Sequence, residues 1–212
     1  MHYSRILWDF NGTILNDVQT GIVCINRLLS RRGLPTVKNT EQYRAAFCFP
    51  ITRYYNNVGL TFETEPFSDL AVEWVNEYNR ESPKAGLCPG VRELNSWFRR
   101  RNIAQTVFSA TEIHMLERQL TELGILELFD DFTGLDNIHA AGKIELARAY
   151  LRDKDPKTCL FLGDTEHDAQ TAQAVGADCI LIAGGHQNRR TLEQCGCPVA
   201  DSLLDVPKLL ER

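Results

Sequence analysis

The sequence predicts an α/β fold built on a doubly wound, Rossmann-like parallel sheet. From residue 103 onward, short apolar runs alternate with segments of helical periodicity, which is the pattern of parallel βαβ units. Three apolar runs also end in a polar residue suited to a ligand site, namely Asp9, Ser109 and Asp164. Because open parallel sheets bind ligands at the carboxyl ends of their strands, we expect the functional site at that edge.

Strands and helices follow one another in a regular order. The first strand covers residues 6–8 and delivers Asp9 to a turn at Asn11-Gly12. Later strands are expected over residues 103–109, 132–135, 158–162 and 179–183. Helices are expected over residues 111–123, 144–151, 169–175 and 202–210, with Thr111 as a cap and Gly124 and Gly176 as helix ends.

Residues 16–87 break this rhythm. The segment contains apolar residues at helical spacing, divided by helix breakers and caps, and it lacks a convincing strand. The first helix starts near Val18, Thr40 is expected to cap the second, Pro50 precedes the third and Pro66 begins the fourth. The simplest interpretation is a helical cap domain, residues 16–87, inserted into a core of residues 1–15 and 88–212.

Length and composition are those of an ordinary globular protein. The 212 residues are 43% hydrophobic and 24% charged, and the net charge is −5. A negative net charge does not favour nucleic acid or an anionic membrane as a partner. No run approaches the roughly 18 apolar residues of a membrane span, and the N-terminus lacks a signal-peptide pattern. We expect a cytoplasmic protein; its oligomeric state is not readable from the sequence.

The seven cysteines have irregular spacing, which is typical of reduced thiols in a core rather than of a disulfide framework. Cys195-Gly-Cys197 has the spacing of a redox or metal-binding pair. It has no matching ligand pair elsewhere in the sequence, so we do not expect a metal site there.

Polar residues that follow two of the predicted strands indicate a functional site. Asp164 is followed four residues later by Asp168, and a turn into a helix would bring both carboxylates together with Asp9. Three carboxylates in one place need a cation, and oxygen ligands select a hard ion such as Mg²⁺. Ser109 before a helix and Lys143 at a helix start are suited to binding the oxygens of a phosphate.

Each of these residues also has an ordinary structural explanation. Asn11-Gly12 is a strong hairpin signal, and Ser109 is equally a helix cap. Lys143 and Asp168 are equally surface residues of their helices, and Asp164 is equally a cap. The order and placement of all the residues together favour a site.

Four ordered motifs resemble those of the haloacid dehalogenase superfamily, within it the phosphoglycolate phosphatase-like branch with a helical cap. They are the DFNGTIL run from Asp9, the VFSA run with Ser109, Lys143, and the GDTEHD run with Asp164 and Asp168. The resemblance covers the whole chain and includes the PGV turn at residues 89–91 and the AGGHQ run at residues 183–187.

The resemblance implies a Mg²⁺-dependent phosphatase acting through an aspartyl phosphate. Asp9 is then the nucleophile and a metal ligand, together with the main-chain carbonyl of Asn11 and the carboxylate of Asp164. Asp168 is an outer or variable ligand, and Ser109 and Lys143 hold the phosphoryl oxygens. The substrate is a small phosphorylated metabolite whose identity the sequence does not give.

Asn11 departs from the pattern of the superfamily, in which most phosphatases carry Asp at this position as general acid and base. An amide does not titrate in water, so it cannot perform either role. The loss is worth roughly 10²–10⁴ in rate. Glu166 and His167 are candidate substitutes, although both are equally ordinary surface residues.

Two functions therefore remain open. The first is a phosphatase of reduced rate, and the second is a low-turnover regulatory protein that binds phosphate or Mg²⁺. In the helical segment, Arg44, Arg53 and Tyr54 are candidates for contacting a second group of the substrate, or else ordinary residues of a small helical unit.

Overall fold

The protein is described by a computed structural model over residues 2–135 and 142–211. Six strands form one sheet in the order β3-β2-β1-β4-β5-β6, and every neighbouring pair is parallel. They are β1 (Arg5–Trp8), β2 (Ala104–Glu112), β3 (Asp131–Leu135), β4 (Cys159–Gly163), β5 (Asp178–Ile182) and β6 (Val199–Ala200). This order is that of a doubly wound sheet and confirms the predicted fold class.

Helices cover both faces of the sheet and fill the segment between β1 and β2. They are α1 (Val18–Arg31), α2 (Thr40–Ala46), α3 (Ile51–Asn57), α4 (Phe67–Glu81), α5 (Val91–Arg99), α6 (Ile113–Glu122), α7 (Lys143–Tyr150), α8 (Glu166–Val175), α9 (Arg189–Glu193) and α10 (Val206–Leu210). Among the described residues, none of these helices is long and apolar enough to cross a membrane.

Alternating side chains of the central strands supply two apolar layers. Ile6 and Trp8 of β1 pack with residues of α5 and α6 on one face, where Leu94 and Phe98 are fully buried. Leu7, between them, joins the layer of α7 and α8 on the opposite face. Because successive strand residues point to opposite faces, β1 is buried on both sides and holds its carboxyl end in a fixed position.

The four helices α1–α4 have an apolar cluster of their own, built around residues such as Ile25, Tyr43, Tyr54 and Leu70. The chain leaves and re-enters the core at one place, where Asn16 N–H donates to the carbonyl of Gly86 (2.9 Å). The predicted helical character of this segment agrees with the structure. Its boundaries as a domain, residues 16–87, stay a prediction.

Two caps differ from those predicted, and two short elements were not expected. Glu112 rather than Thr111 caps α6, because its carboxylate accepts the N–H groups of His114 and Met115 (both 3.0 Å). Asn39 rather than Thr40 caps α2. Strand β6 and helix α9 are too short to leave a periodic signal.

Candidate active site

The carboxyl end of β1 places Asp9 at the centre of the sheet edge. Its N–H donates to the carbonyl of Leu162 in β4 (2.8 Å), so the backbone is fixed where the strand ends. Trp8 pairs with Leu162 on one side and with Val107 on the other. Asp164 directly follows β4, and Ser109 lies within β2, so both residues are close to the level of Asp9. Asp9 and Asp164 thus follow strands that end at one edge, as the sequence predicts, whereas the strand predicted to end at Ser109 continues to Glu112.

Three carboxylates converge there. Asp9, Asp164 and Asp168 each offer an oxygen, and the three oxygens lie within 4.8 Å of one another. Asp168 reaches this position from the first turn of α8, where one of its oxygens accepts hydrogen bonds from Thr165 N–H (3.0 Å) and Thr165 Oγ1 (2.8 Å). Thr165, not Asp164, occupies the capping position of α8.

Lys143 supplies a positive charge to this cluster. It begins α7, is 3% exposed, and its Nζ donates to both Asp9 Oδ1 and Asp168 Oδ1, the latter at 2.6 Å. Burial alone would lower the pKa of this ammonium group, but the two carboxylates outweigh burial and raise it. Lys143 is therefore a buried ammonium group that contacts two carboxylates, and it begins a helix, as the sequence predicts.

One lysine does not neutralise the carboxylates. Burial, followed by repulsion from Asp168, raises the pKa of Asp9 well above its usual range, even though Lys143 acts to lower it. Burial likewise raises the pKa of Asp164 to about 6. The Asp168 carboxyl, which contacts Lys143 and Thr165, has a lowered pKa despite its burial. A site that resists ionisation of its own carboxyl groups favours a further cation.

Gly12 and Gly185 let the chain approach Asp164 closely. A Cβ atom at either position would overlap the Asp164 carboxyl group. Gly12 in addition has φ of +76°, a conformation that a side chain disfavours. Asp164 itself is fully buried and accepts hydrogen bonds from His186 N–H (2.6 Å) and Thr13 Oγ1 (3.2 Å).

Asn11 is held by three hydrogen bonds. Its Nδ2 donates to Asp17 Oδ2 (2.9 Å) and to the hydroxyl oxygen of Tyr78 (2.6 Å), and its Oδ1 accepts from Thr111 Oγ1 (3.0 Å). Tyr78 in turn donates to Asp17 Oδ2 (2.7 Å). Both amide protons are thus occupied, and the side chain is fixed in orientation.

Ser109 belongs to the same network. It is 1% exposed, its Oγ donates to Thr111 Oγ1 (2.9 Å), and it accepts the Thr111 N–H (3.0 Å). Hydrogen bonds within the last part of β2 therefore fix the hydroxyl, and Thr111 connects Ser109 to Asn11 by donating to Asn11 Oδ1. This local role accounts for the cap-like residue pattern seen in the sequence.

A buried Asp17–His186–Tyr43 chain was not found by sequence reasoning. His186 Nε2 lies 3.0 Å from Asp17 Oδ1, and its Nδ1 lies 2.9 Å from the Tyr43 hydroxyl. Burial acts to lower the pKa of His186, but the carboxylates of Asp17 and Asp164 raise it to about 9. These three hydrogen-bonded side chains join α1 and α2 to the loop after β5. In the sequence, only the histidine of the AGGHQ run pointed to this part of the site.

The helical segment contacts the core beside this chain. Arg44 donates to the carbonyls of Gly184 (2.5 Å) and Gly185 (2.7 Å). Phe49 N–H donates to Glu166 Oε1 (3.3 Å), and the Phe49 ring lies 4.8 Å from the ring of His167. Glu166 and His167, considered as substitutes for the missing acid, are thus occupied in joining α8 to the helical segment.

The two substrate candidates of α3 lie in different surroundings. Arg53 is exposed, whereas Tyr54 is 2% exposed within the apolar cluster of the helical segment. The Tyr54 hydroxyl has no hydrogen-bond partner in the part of the chain that the structure describes. In this conformation Tyr54 packs between Tyr43 and Tyr55.

Comparisons with known proteins agree with this geometry. A phosphoglycolate phosphatase of Nitrosococcus oceani is 23% identical, and the alignment covers 98% of this chain and 96% of that protein. An N-acetylmuramic acid 6-phosphate phosphatase of Pseudomonas putida is 22% identical, with 88% and 85% covered. A haloacid dehalogenase-like hydrolase structure from Streptococcus pneumoniae has a TM-score of 0.83 at 18% identity, with 99% of each chain covered.

The sequence also matches a family profile over residues 6–182, a span that contains β2 to β5 and all of β1 except Arg5. The profile describes haloacid dehalogenase-like hydrolases. The match covers far more than half of the 212 residues and includes Asp9, Lys143 and both carboxylates that follow β4. The chain belongs to the haloacid dehalogenase-like hydrolase family.

Proposed function

We propose that this protein is a Mg²⁺-dependent phosphatase that hydrolyses a small phosphate monoester through an aspartyl phosphate on Asp9. The observation that carries the proposal is the convergence of Asp9, Asp164 and Asp168 with the buried Lys143 at the carboxyl ends of β1 and β4. Two relatives that align over most of the chain are named for phosphate ester hydrolysis, which supports this reaction class.

The residues present fit a magnesium ion. All the side-chain donors are carboxylate oxygens, they lie within 4.8 Å of one another, and repulsion and burial already raise the pKa of Asp9 and Asp164. Asp9, Asp164, Asp168 and the main-chain carbonyl of Asn11 would hold it. When bound, the ion would neutralise charge on the phosphoryl oxygens.

The reaction then proceeds in two steps on Asp9. An Asp9 oxygen attacks phosphorus while the ester oxygen leaves, and water later hydrolyses the acyl phosphate. Lys143 favours the ionised form of Asp9 and, with the Ser109 hydroxyl, holds the phosphoryl oxygens. Phosphoryl transfer depends mainly on positioning and charge neutralisation, which is what a buried lysine and a fixed hydroxyl supply.

Asn11 limits the rate of both steps in this proposal. Its amide cannot protonate the leaving oxygen or take a proton from water, and both of its N–H groups are held by Asp17 and Tyr78. Esters with good leaving groups are therefore the better substrates. The missing general acid and base corresponds to roughly 10²–10⁴ in rate.

Residues 16–87 act as a cap over this edge of the sheet. The contacts of Arg44 and Phe49 with the core support a closed arrangement, in which Asp9 keeps a side-chain exposure of only 12%. A cap excludes water and contributes to the choice of substrate. Arg53 and Tyr54 are proposed to contact a second group of the substrate; Arg53 is exposed, whereas Tyr54 is buried in the apolar cluster of the helical segment.

A second candidate function is a low-turnover protein that binds phosphate or Mg²⁺. Asn11 favours it, because its amide does not titrate and its hydrogen bonds to Asp17, Tyr78 and Thr111 hold it in place. The nucleophile, the lysine and the metal carboxylates are all in place, which favours the enzyme.

A panel of phosphorylated metabolites and one aryl phosphate, assayed with and without Mg²⁺, tests the proposal. The variants are Asp9→Ala and, as a matched control, Asp153→Ala, which removes an exposed carboxylate outside the site. We expect Mg²⁺-dependent phosphate release that Asp9→Ala abolishes and Asp153→Ala keeps. Hydrolysis that survives Asp9→Ala would contradict the proposed nucleophile.

The same preparations distinguish the second candidate. Calorimetric titration with inorganic phosphate in the presence of Mg²⁺, and mass spectrometry of rapidly quenched reactions, report binding and the acyl phosphate separately. Phosphate binding without turnover and without a phosphorylated Asp9 peptide would support the binding protein. A phosphorylated Asp9 peptide that decays slowly would support the slow phosphatase.

A further inference from the structure

Three cysteines that are scattered in the sequence meet at the other end of the sheet. Cys179, Cys195 and Cys197 all pack in the apolar layer of α7 and α8. Cys179 is the second residue of β5, so it lies near the amino end of its strand, whereas Asp9 and Asp164 lie at the carboxyl ends. This thiol cluster is thus separate from the proposed active site.

Strand register brings two of the thiols face to face. Leu181 pairs with Val199 in the parallel β5–β6 ladder, and Leu181 N–H donates to the carbonyl of Pro198 (2.9 Å). Two residues upstream on each side, this register sets Cys179 opposite Cys197 on the same face of the sheet. Neighbouring strands are about 4.8 Å apart, a spacing compatible with the Cα separation of a disulfide.

Cys197 is the thiol of this pair that solvent reaches. A cavity of about 460 Å³ is lined by all three cysteines together with Tyr3, Gln173 and Leu209. Cys179 is buried, with 7% exposure, whereas Cys197 is partly exposed. A reagent in the cavity therefore reaches Cys197 before Cys179.

The two thiols differ in acidity. The contact with the Cys179 thiol lowers the pKa of Cys197, and the same contact followed by burial raises the pKa of Cys179. Cys195 donates instead to the carbonyl of Thr191 (3.7 Å), and burial raises its pKa. Cys197 is the more exposed of the two facing thiols, and thiolates are the reactive form of cysteine, so Cys197 is the nucleophile of the cluster.

We propose that Cys197 and Cys179 form a reversible, peroxide-sensitive thiol pair, with Cys197 as the attacking residue and Cys179 as the resolving residue. The Cys197 thiolate attacks a hydroperoxide, an S–O bond forms, the O–O bond breaks, and water or an alcohol leaves. Cys197 is then a sulfenic acid.

Cys179 completes the reaction. Its sulfur attacks the Cys197 sulfur, the S–S bond forms and the S–O bond breaks. The hydroxide leaves as water with the thiol proton of Cys179. Two thiols and one hydrogen peroxide thus yield one disulfide and two water molecules, and an organic hydroperoxide yields one water and one alcohol instead. A dithiol reductant restores both thiols by thiol–disulfide exchange.

Intact-mass spectrometry of the full chain, titrated with hydrogen peroxide, tests this pair. We expect a loss of two hydrogens per chain at low peroxide, a Cys179–Cys197 linked peptide under non-reducing conditions, and full reversal by dithiothreitol. Cys197→Ser should abolish the mass loss, and Cys195→Ser, the matched control, should keep it. Cys179→Ser should stop at a sulfenic acid that a 1,3-dione probe traps on residue 197.

Other outcomes overturn the pair. A link that includes Cys195, or oxidation that reaches Cys88 and Cys48 as fast as Cys197, would show that the register does not select these two thiols. If Cys179→Ser or Cys197→Ser does not fold, the linked peptide of the unmodified chain decides alone: its absence at peroxide levels that oxidise other cysteines refutes the proposal.

Discussion

Replacing Asn11 by Asp restores a titratable group where the proposed mechanism lacks one. General acid and base help is worth roughly 10²–10⁴ in rate, which corresponds to about 3–5 kcal/mol of barrier. We expect Asn11→Asp to raise Mg²⁺-dependent hydrolysis, most for alkyl phosphates, whose leaving oxygen needs a proton.

The structure adds a cost to this change. Asn11 Nδ2 lies 2.9 Å from Asp17 Oδ2, so a carboxylate at position 11 faces another buried carboxylate and loses two donated hydrogen bonds. A hydrogen bond to a charged group is worth about 1.5–3 kcal/mol, and an unpaired buried acceptor adds to the loss. We expect Asn11→Asp to lower the free energy of unfolding by about 2–5 kcal/mol.

A swap of the two residues separates chemistry from stability. In Asn11→Asp/Asp17→Asn the amide at position 17 donates to the new carboxylate, so repulsion is relieved. We expect this double variant to recover most of the lost stability and to keep or exceed the gain in turnover. The control, Asp17→Asn alone, removes the charge that faces His186 without adding an acid, and should not gain activity.

Urea unfolding and steady-state kinetics with an aryl and an alkyl phosphate measure both effects. The reasoning is refuted if both Asn11→Asp and the swap fold, bind Mg²⁺ as the unmodified protein does, and hydrolyse neither ester faster. An equal stability of Asn11→Asp and the unmodified protein would contradict the role assigned to Asp17.

Three further changes test other parts of the structure. Lys143→Met leaves Asp9 and Asp168 without the cation that contacts them, so we expect it to lower turnover about 10²–10³-fold in the same assay. The control, Lys157→Met, changes an exposed lysine and should have little effect. Glu77 is 2% exposed and hydrogen-bonded to arginines of α1, which lower its pKa. Its contribution to the free energy of unfolding is therefore fully present above the usual glutamate pKa, and it is lost as the pH falls through the lowered pKa of Glu77 in the folded protein. Glu77→Gln should lower the urea midpoint at neutral pH and flatten its acid dependence, and an unchanged midpoint would contradict this. Arg44→Met removes two hydrogen bonds to loop carbonyls and should speed amide hydrogen exchange in residues 184–188, whereas unchanged exchange would show that Arg44 does not hold the helical segment against the core.

Local chemistry made part of the site readable from the sequence. A buried strand ends in Asp9, a second ends before Asp164, and glycines mark the turns, so periodicity and turn residues were enough to place both carboxylates at one edge. Asp168 follows from the same reasoning, because a helix begins at Glu166 and turns its first residues back toward the strand end.

Contacts between distant segments could not be read in this way. Asp17, Tyr78 and His186 come from α1, α4 and the loop after β5, and only the packing of the helical segment on the core brings them to Asn11 and Asp164. Asp17 and Tyr78 stand in no local pattern that differs from an ordinary helix residue, and the AGGHQ run marks His186 without indicating its partners.

The cysteines show the same division. Cys195 and Cys197 are close in sequence, yet the thiol we propose as the partner of Cys197 is Cys179. Each of these two lies two residues before the registered pair Leu181–Val199 of β5 and the short edge strand β6. The sequence by itself determined the fold class and the strand-end residues, because periodicity, turns and caps are local. Tertiary structure decided which side chains surround Asn11 and which thiols meet, because those contacts depend on the packing and register of segments far apart in the chain.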